Sequence, residues 1–538
     1  MAAIESPAPV EPVLPMADIQ GIVVPGFFKP HQTLIGIRLV GGNKQVAEFR
    51  KLLRKLTVEI STAENALSDR REFRARRKQK AEGQAPRPPL VGIGFTYQGL
   101  IKLTPGAAYI PSVAYREGLP KRSALLGDPL EVDNPGHPGK WVVGAPGNEL
   151  DALIVVAGDT RDVTTVKAND IAQELNAIGI QIAYREDGDI REDLPGHEHF
   201  GFDDGVSQPG IRGRASDAPD DFITERTIAK SQSPETALFG YPGQDLVWPG
   251  EFVLGQPSTS PDPLIPGIPS TTTPNWTVNG SFLVFRRLQQ DVALFWNTVK
   301  SIQSTLVGRA GFGGLTDDTA LASRIVGRWP SGAPVNRTPS ADDAALGKEP
   351  LANNHFRFDS DASPFDMGNG FVDGFAMSKA DPAGITCPWA AHIRKVNTRD
   401  SGSDMGGRDS TYQRRLLRVG VPYGRPLADR YNGLDDPENG NRGLLFLSIQ
   451  TSIEDQFEFL VSRWVNDPTR PKMPGGRDIL LGQNNHTGEA GTRECVLFGA
   501  GLQQANLQTN AQWITPTGGG YFFIPSLTAL RNVLAPEG

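Results

Sequence analysis

The chain has 538 residues, a formal net charge of −7 and two cysteines. This length allows two large domains or three to four ordinary ones, and the scarcity of cysteine excludes a disulfide scaffold and metal sites built from four thiolates. The acidic balance, together with the lack of a long apolar run or a signal segment, argues against a nucleic-acid or membrane partner. We therefore expect a globular protein that is cytoplasmic by default, with export by an unrecognised route left open.

The first half of the chain predicts alternating strands and helices. Apolar residues three and four apart mark the helices, and continuous runs of Val, Ile, Leu and Phe mark the strands. In chain order we predict a strand over residues 31–42, a helix over 43–60, strands over 89–97 and 150–158, a helix over 165–179 and a strand over 180–184.

The second half repeats this layout without repeating the sequence. A strand running into a helix is predicted over residues 279–302, and another such pair over 442–464. Antiparallel sheets with helices on one face bury these elements economically. We therefore predict an α+β fold in which two units share a core.

Long connections separate and interrupt the two units, which we place at residues 1–215 and 281–538. Residues 216–280 form a connection that ends in a segment dense in Pro, Ser and Thr, and we expect that segment to lie on the surface. A second insertion spans about 305–385. Loops of this length in a compact protein are usually functional.

Residues 201–210 read GFDDGVSQPG, in which two glycines enclose a pair of aspartates. This composition is typical of a tight turn whose carboxylates bond their own backbone. Alternatively, the turn holds one aspartate at the rim of a pocket, with Phe202 as its anchor and Gly205 letting a ligand approach the backbone. The residues themselves leave both interpretations open.

Residues 387–400 read CPWAAHIRKVNTRD, in which His392 follows an apolar run and precedes Arg394, Lys395 and Arg399. A lone histidine in such a setting is usually a hydrogen-bonded structural group. An imidazole flanked by cations also suits a planar, dianionic iron cofactor, because the ring nitrogen binds the metal and the cations hold the carboxylates. Both interpretations are kept.

Other possible metal ligands are weaker candidates. Cys387 precedes Pro388 and Trp389, which favours a buried, inert thiol over a thiolate ligand. His197 and His199 are spaced like a metal-binding pair on a strand, but no third ligand with suitable spacing follows. The chain also lacks the motifs of dehydrogenases, phosphoryl-transfer enzymes and α/β-hydrolases.

Two basic stretches remain. Arg414, Arg415 and Arg418 precede a turn in YQRRLLRVGVPYG, residues 412–424, and form either a solvated edge or a group that stabilises negative charge in a pocket. The run over residues 70–80 lies in a helical stretch that gives way to AEGQAPRPP. For this run a solvated helix end or loop is favoured over a nucleic-acid patch.

Taken in order, seven segments resemble the dye-decolourising peroxidases, a family of haem enzymes. The segments are DIQGIVVPGFFKPHQT, GFDDGVSQP, NGSFLVFRRLQQD, GRWPSGAPV, CPWAAHIRKVNTR, LLRVGVPYG and RGLLFLSIQ. The resemblance implies two ferredoxin-like units, each with a four-stranded antiparallel sheet and peripheral helices, as in a dimeric α+β barrel. It also implies one haem b per chain, bound by the second unit.

The resemblance carries roles onto individual residues. His392 matches the iron ligand, while Asp204 and Arg418 match the catalytic acid–base and the catalytic arginine. Thr398 departs from the Asn-Pro-Arg pattern of many members, which puts the local turn in doubt. The implied haem contacts, besides His392, are Gly205, Val206, Ser207, Arg328, Asn397, Thr398, Arg399 and Arg418.

The implied activity is the use of hydrogen peroxide to oxidise dyes, phenols and other aromatic reductants through an oxyferryl intermediate. Tyr423 matches a position that relays radicals in some members, and packing of its turn is the alternative; Trp329 and Trp389 are further relay candidates. Glu454 is a candidate hydrogen-bond partner of His392. The rival functions are haem delivery with incidental peroxidase activity and a haem-free carbohydrate-binding or hydrolytic role, and an oligomer is possible.

Overall fold

A computed structural model describes residues 11–79, 85–106, 109–227, 237–362, 374–434, 436, 440–485 and 491–537. The start of the leader (1–10), Lys80 of the basic run, and residues 228–236 and 363–373 of the two long connections lie outside the described residues. The strands are β1 (His31–Arg38), β2 (Leu90–Phe95), β3 (Ala152–Gly158), β4 (Gln181–Asp189), β5 (Gly210–Ile211), β6 (Leu246–Val247), β7 (Pro257–Thr259), β8 (Pro266–Pro269), β9 (Ser281–Gln290), β10 (Leu417–Tyr423), β11 (Gly443–Gln450), β12 (Arg493–Phe498), β13 (Gln504–Thr509) and β14 (Ile514–Ile524).

The helices follow the same chain order. They are α1 (Gly42–Glu59), α2 (Ala63–Lys78), α3 (Tyr97–Leu103), α4 (Val113–Glu117), α5 (Leu119–Arg122), α6 (Arg161–Ala177), α7 (Val292–Leu306), α8 (Asp318–Val326), α9 (Ala344–Lys348), α10 (His392–Val396) and α11 (Leu527–Ala529). Wider, π-type turns wind Ile453–Glu458, Leu460–Val465 and Leu530–Leu534, and short 3₁₀ turns occupy Pro138–Lys140, Pro249–Glu251, Asn275–Thr277, Arg408–Arg414 and Ala500–Leu502. Within the described part of the chain, no helix is long and apolar enough to cross a membrane.

Eight strands form one antiparallel sheet in the order β10-β11-β9-β14-β2-β3-β1-β4. The second half of the chain contributes β10-β11-β9-β14 and the first half contributes β2-β3-β1-β4. In each half, the first strand in the chain lies between the third and the fourth, and the second lies beyond the third, which is the ferredoxin-like order. The predicted α+β fold of two four-stranded units is therefore confirmed. The units join where Phe95 of β2 pairs with Phe523 of β14. The two outermost strands, β4 and β10, also meet. Their close approach requires a glycine at position 188 of β4, since a Cβ there would lie 2.6 Å from the Val421 side chain of β10.

The sheet buries both of its faces. Along β3, Ile154 and Val156 point to the face covered by helices, whereas Leu153 and Val155 point to the core enclosed by the two units. The first face packs against the apolar stripe of α1, which recurs at the helical spacing from Phe49 onward. Because both faces are covered at the central strands β2 and β3, these two strands are continuously apolar in sequence.

Most predicted elements are present with shifted ends. The helix predicted over residues 165–179 begins at Arg161, because the Thr160 hydroxyl accepts from the N–H of Val163 and caps it. Strand β4 continues to Asp189, five residues beyond the predicted end. Its polar end, Arg185 to Asp189, pairs with the first five residues of β1, and as an edge strand it needs no apolar sequence there.

The connection over residues 216–280 has a buried middle, for which no prediction was made, and an end that was predicted to lie on the surface. Its middle is buried, because Val247, Phe252 and Val253 enter the core between the two units. Its Pro, Ser and Thr-rich end forms the β7–β8 hairpin, where Ile268 is exposed as predicted. The division of the chain at residues 215 and 280 stays a prediction.

Candidate active site

The three motifs singled out in the sequence converge on one cavity of about 320 Å³. The GFDDG turn contributes Asp203 to Ser207, α10 contributes His392, and β10 contributes Arg418. Apolar side chains fill much of the remaining wall, among them Leu288, Phe446, Val461 and Leu480. Segments far apart in the chain thus form one site.

His392 is held by a buried carboxylate. Its Nδ1 lies 2.7 Å from Oδ2 of Asp478, and the Asp478 side chain is fully buried. The other oxygen of Asp478 accepts from the backbone N–H groups of Leu480 and Leu481, at 3.0 and 3.1 Å. With Nδ1–H donating to Asp478, Nε2 keeps its lone pair, and no described protein group bonds it. The arrangement leaves Nε2 free to bind a metal ion.

The prediction of Glu454 as the partner of His392 is wrong. The Glu454 carboxylate accepts from the Ser112 hydroxyl at 2.9 Å and from the Ala114 N–H at 2.8 Å, so it caps the start of α4. Sequence reasoning missed Asp478, which lies 86 residues from His392 in an unremarkable GGRDILLG segment. No spacing rule connects the two positions.

The cations that follow His392 were expected to hold the carboxylates of a cofactor together, but two of the three point away from the cavity. Lys395 donates to the carbonyls of Asp467 and Gly476 at 2.9 and 2.7 Å, and burial lowers the pKa of its ammonium to about 8. Arg394 donates to the Cys387 carbonyl and lies over the Trp389 ring. Both side chains turn into the protein and fix the loop around α10. Arg399 is the member of this group that lines the cavity.

Asp204 and Arg418 form an ion pair at the cavity. Nη1 of Arg418 lies 2.9 Å from Oδ1 of Asp204, which also accepts from the Gly205 N–H at 2.7 Å. Nη2 of Arg418 donates to the Ser207 carbonyl at 3.2 Å. Gly420 is necessary here, since a Cβ at this position would lie 2.5 Å from Oδ2 of Asp204. The predicted pair is therefore brought together by the turn and by β10.

Two further carboxyl groups adjoin this pair. Burial raises the pKa of Glu198 to about 7, although the N–H groups of Phe200 and Phe202 donate to its carboxylate. Burial and the neighbouring Asp204 raise the pKa of Asp203 to about 6. Phe202 is buried and stacks on Trp296, as its proposed anchoring role requires.

A network around Asn354 fixes the remaining polar wall. Its Oδ1 accepts from Arg328 and from the Ser207 hydroxyl, both at 2.7 Å, and its Nδ2 donates to the Val206 carbonyl. Arg399 packs over an aromatic ring and donates to the Asn354 carbonyl at 3.0 Å. Burial lowers the pKa of Arg328 to about 9 and that of Arg399 to about 10. Sequence reasoning missed Asn354, which carries no motif signal.

Not every expected contact lines the cavity. Asn397 and Arg399 do, but Thr398 between them is fully buried and lies outside the lining. Tyr423, Trp329 and Trp389 are likewise buried, so none of these relay candidates reaches the surface itself.

The weaker candidate metal ligands, His197 and His199, contact different groups. His199 is buried with Nε2 2.9 Å from the Tyr423 carbonyl, whereas Nδ1 of the half-buried His197 faces the Pro195 carbonyl. Among the described residues, no group of three possible ligands could hold a metal ion. Burial raises the pKa of Cys387 to about 12, which agrees with an inert thiol.

Comparison with known proteins gives a consistent result. Residues 18–192 match the model of the DyP dimeric alpha+beta barrel domain. The dye-decolorizing peroxidase msp1 of Mycetinis scorodonius is 32% identical over 414 residues, which are 75% of this chain and 70% of that protein. The multifunctional dye peroxidase DyP2 of Amycolatopsis sp. is 28% identical over 509 residues, or 91% of each chain.

Solved structures agree over nearly the whole chain. An ancestral D-type dye decolorizing peroxidase has a TM-score of 0.73 at 29% identity, covering 97% of this chain and 100% of that one. A dye-decolorizing peroxidase in complex with 2,6-dimethoxyphenol has a TM-score of 0.70 at 25% identity, with the same coverage. The chain therefore belongs to the dye-decolourising peroxidase family, and it is a peroxidase.

Proposed function

We propose that the cavity binds one haem b per chain and that the enzyme uses hydrogen peroxide to oxidise phenols, dyes and related aromatic reductants. Members of this family are haem enzymes. The donor set fits that group, because one imidazole with a free Nε2 faces an apolar cavity that also presents cationic side chains.

Individual residues suit particular parts of the cofactor. His392 would hold the iron through Nε2, and Arg328 and Arg399 would supply positive charge for the two propionates. Gly205 and Val206 line the cavity and would contact the cofactor. A bound haem supplies the redox chemistry that breaks the peroxide O–O bond.

Side chains of the protein transfer the peroxide proton and stabilise the developing negative charge. Asp204 takes a proton from one oxygen of hydrogen peroxide and delivers it to the other, a type of transfer that typically contributes about 10²–10⁴-fold. Arg418 stabilises the negative charge that develops on the departing oxygen. Asp478 holds the Nδ1–H of His392 and so fixes the direction of its Nε2.

One observation carries the proposal: the Asp204–Arg418 pair lines the same cavity as the imidazole held by Asp478. A haem carrier needs the imidazole, but it has no use for a paired acid and guanidinium beside it. The peroxidase relatives point the same way. Phenolic reductants are supported by the solved relative that binds 2,6-dimethoxyphenol.

The test is an absorbance spectrum of the purified protein with haem, before and after peroxide, combined with two variants. We expect a Soret band that changes on adding peroxide. Arg418→Leu should keep this band while turnover of 2,6-dimethoxyphenol falls by about 10²–10³-fold. Arg531→Leu, which removes an exposed arginine near the end of the chain, is the matched control. A folded protein that stays colourless with excess haem contradicts the cofactor, and full turnover in Arg418→Leu contradicts the role of that residue.

A further inference from the structure

A second cavity, of about 660 Å³, lies on the other face of the sheet. Leu417 and Val419 of β10 line this second cavity, whereas Gly420 of the same strand contacts Asp204 of the candidate active site. Successive side chains of a strand point to opposite faces, so β10 separates the two spaces. A cavity of this size is within the range of small-molecule sites. We call it the α2 groove, because α2 forms one of its walls.

The floor of the α2 groove is apolar. Leu283, Leu447 and Ile449 come from neighbouring strands and are nearly fully buried. Phe27 and Leu67 continue this surface towards α2. A flat hydrocarbon or aromatic surface would therefore bury apolar area against this floor.

The wall formed by α2 is strongly cationic. Arg70, Arg74 and Lys78 are four residues apart, so they lie on one face of the helix. Together with Arg71, Arg226 and Arg418 they give the groove six cations, against the two carboxylates of Asp220 and Glu225. The chain as a whole carries a charge of −7, so the positive charge is a local feature. The predicted solvated helix end is present, because Arg77 and Lys78 in the last turn of α2 are exposed, whereas Arg70 and Arg74 are half-buried beside the groove.

Some of these cations are already neutralised by acidic partners. Arg71 pairs with Asp221 at 2.6 Å, and Arg74 pairs with Glu225 at 3.0 Å. Arg226 pairs with Glu11 at 2.6 Å, and Arg418 pairs with Asp204 at 2.9 Å.

Arg70 and Lys78 are the two groove cations without an acidic partner among the described residues. Lys78 is exposed, whereas Arg70 is half-buried and its guanidinium lies over the Phe28 ring, 4.5 Å from the centroid. Burial and the nearby Arg74 lower the pKa of Arg70 to about 10. A partly buried cation beside an apolar floor is the element that a bound anion would complete.

We propose that the α2 groove binds an aromatic anion, a flat ring system bearing a carboxylate or a sulfonate. The ring would pack on the floor around Leu283 and Leu447, and the anionic group would pair with Arg70. Gln208, Pro209 and Arg418 line both cavities, so the bound molecule would lie against the wall of the active site. The proposal concerns binding and does not depend on the haem assignment.

The experiment measures the binding of naphthalene-2-sulfonate and of naphthalene-2-sulfonamide to the full-length resting protein by isothermal titration calorimetry, without peroxide. The two probes share a ring system and differ in charge. We expect the sulfonate to bind at least about 10-fold more tightly, because a charge-assisted bond is worth more than about 1.5 kcal/mol. Arg70→Gln should remove most of this preference and leave sulfonamide binding unchanged.

Two further variants make the test specific. Arg77→Gln removes an exposed charge from the same helix outside the groove lining, and it should bind both probes like the wild type. Arg70→Lys should keep part of the preference, because it keeps the charge. Equal binding of the two probes to the wild type, or equal losses in Arg70→Gln and Arg77→Gln, would overturn the proposal. Displacement of the sulfonate by an equal concentration of inorganic sulfate would also overturn it, since the groove would then be a general anion site.

Discussion

The two halves of the sheet have the same strand order but very different connections. In the first unit, the third and fourth strands are joined by residues 159–180, which hold α6 and little else. The corresponding connection of the second unit is residues 451–513, and its first connection, residues 291–416, holds four helices among the described residues. The strand order therefore provides a shared scaffold, and the length of the connections determines where a cavity can form.

The candidate site takes two of its residues from the long connections of the second unit. His392 lies in the first long connection of the second unit and Asp478 in the other. The GFDDG turn follows β4, the last strand of the first unit, and Arg418 comes from β10. A compact first unit and an open second unit lead to different expectations for substitutions in each.

The largest effect is expected for His392→Ala, which removes the proposed metal-binding nitrogen from the second unit. We expect haem retention after gel filtration to fall to a small fraction of the wild-type value. The measurement is the ratio of Soret to protein absorbance. Glu454→Gln, which changes a cap of α4 instead, should retain haem normally. Normal retention in His392→Ala would show that another group binds the iron.

A pair of core substitutions tests the comparison directly. Leu53 of α1 and Leu321 of α8 are both fully buried, in the first and second unit. Each change to Ala should lower the free energy of unfolding by about 2–5 kcal/mol, measured by urea denaturation. Leu321 shares its cluster with Phe202 of the GFDDG turn, so Leu321→Ala should also reduce turnover. Equal turnover in the two variants would mean that the second unit does not position the site more directly than the first.

A smaller effect is expected for Asp478→Asn. The amide keeps the shape of the carboxylate, but it cannot support the Nδ1–H of His392 with a negative charge. Loss of such a partner typically costs about 10–100-fold in metal affinity or activity. Haem titration and peroxide turnover would measure the two quantities. Asp467→Asn, on the exposed loop nearby, serves as the control.

The smallest effect concerns the pH dependence of stability. The pKa of Glu198 is raised to about 7 by burial, so the folded state binds its proton more tightly than the unfolded state does. The stabilisation is complete below the unfolded pKa of about 4.5 and is lost as the pH rises through about 7. Glu198→Gln should therefore reduce the stability difference between pH 5 and pH 8 by about 1–2 kcal/mol. Urea unfolding at both pH values is the measurement, and an unchanged difference would contradict the assignment.

Local patterns predicted much of the scaffold. The apolar stripe of α1 and the continuous runs of β2 and β3 produced elements with nearly correct ends, because burial of a face imposes a period on the sequence. Strand β4 was predicted too short, since an edge strand is free to be polar.

The site was predictable where its residues belong to a motif. Asp204, His392 and Arg418 stand in recognisable segments, and all three line the same cavity. Asp478 and Asn354 have no such segment, and Glu454 was chosen wrongly in place of Asp478.

The sequence by itself determined the class of fold, the family and the residue types of the candidate site, because each depends on short stretches of chain. The tertiary structure alone decided which carboxylate meets His392 and which cations face a cavity. Those contacts depend on how distant segments pack. Arg394 and Lys395 bond backbone carbonyls inside the protein, whereas Arg70 on α2 faces a groove without a described acidic partner. No local pattern distinguishes a cation that bonds backbone carbonyls from one that faces a groove without an acidic partner.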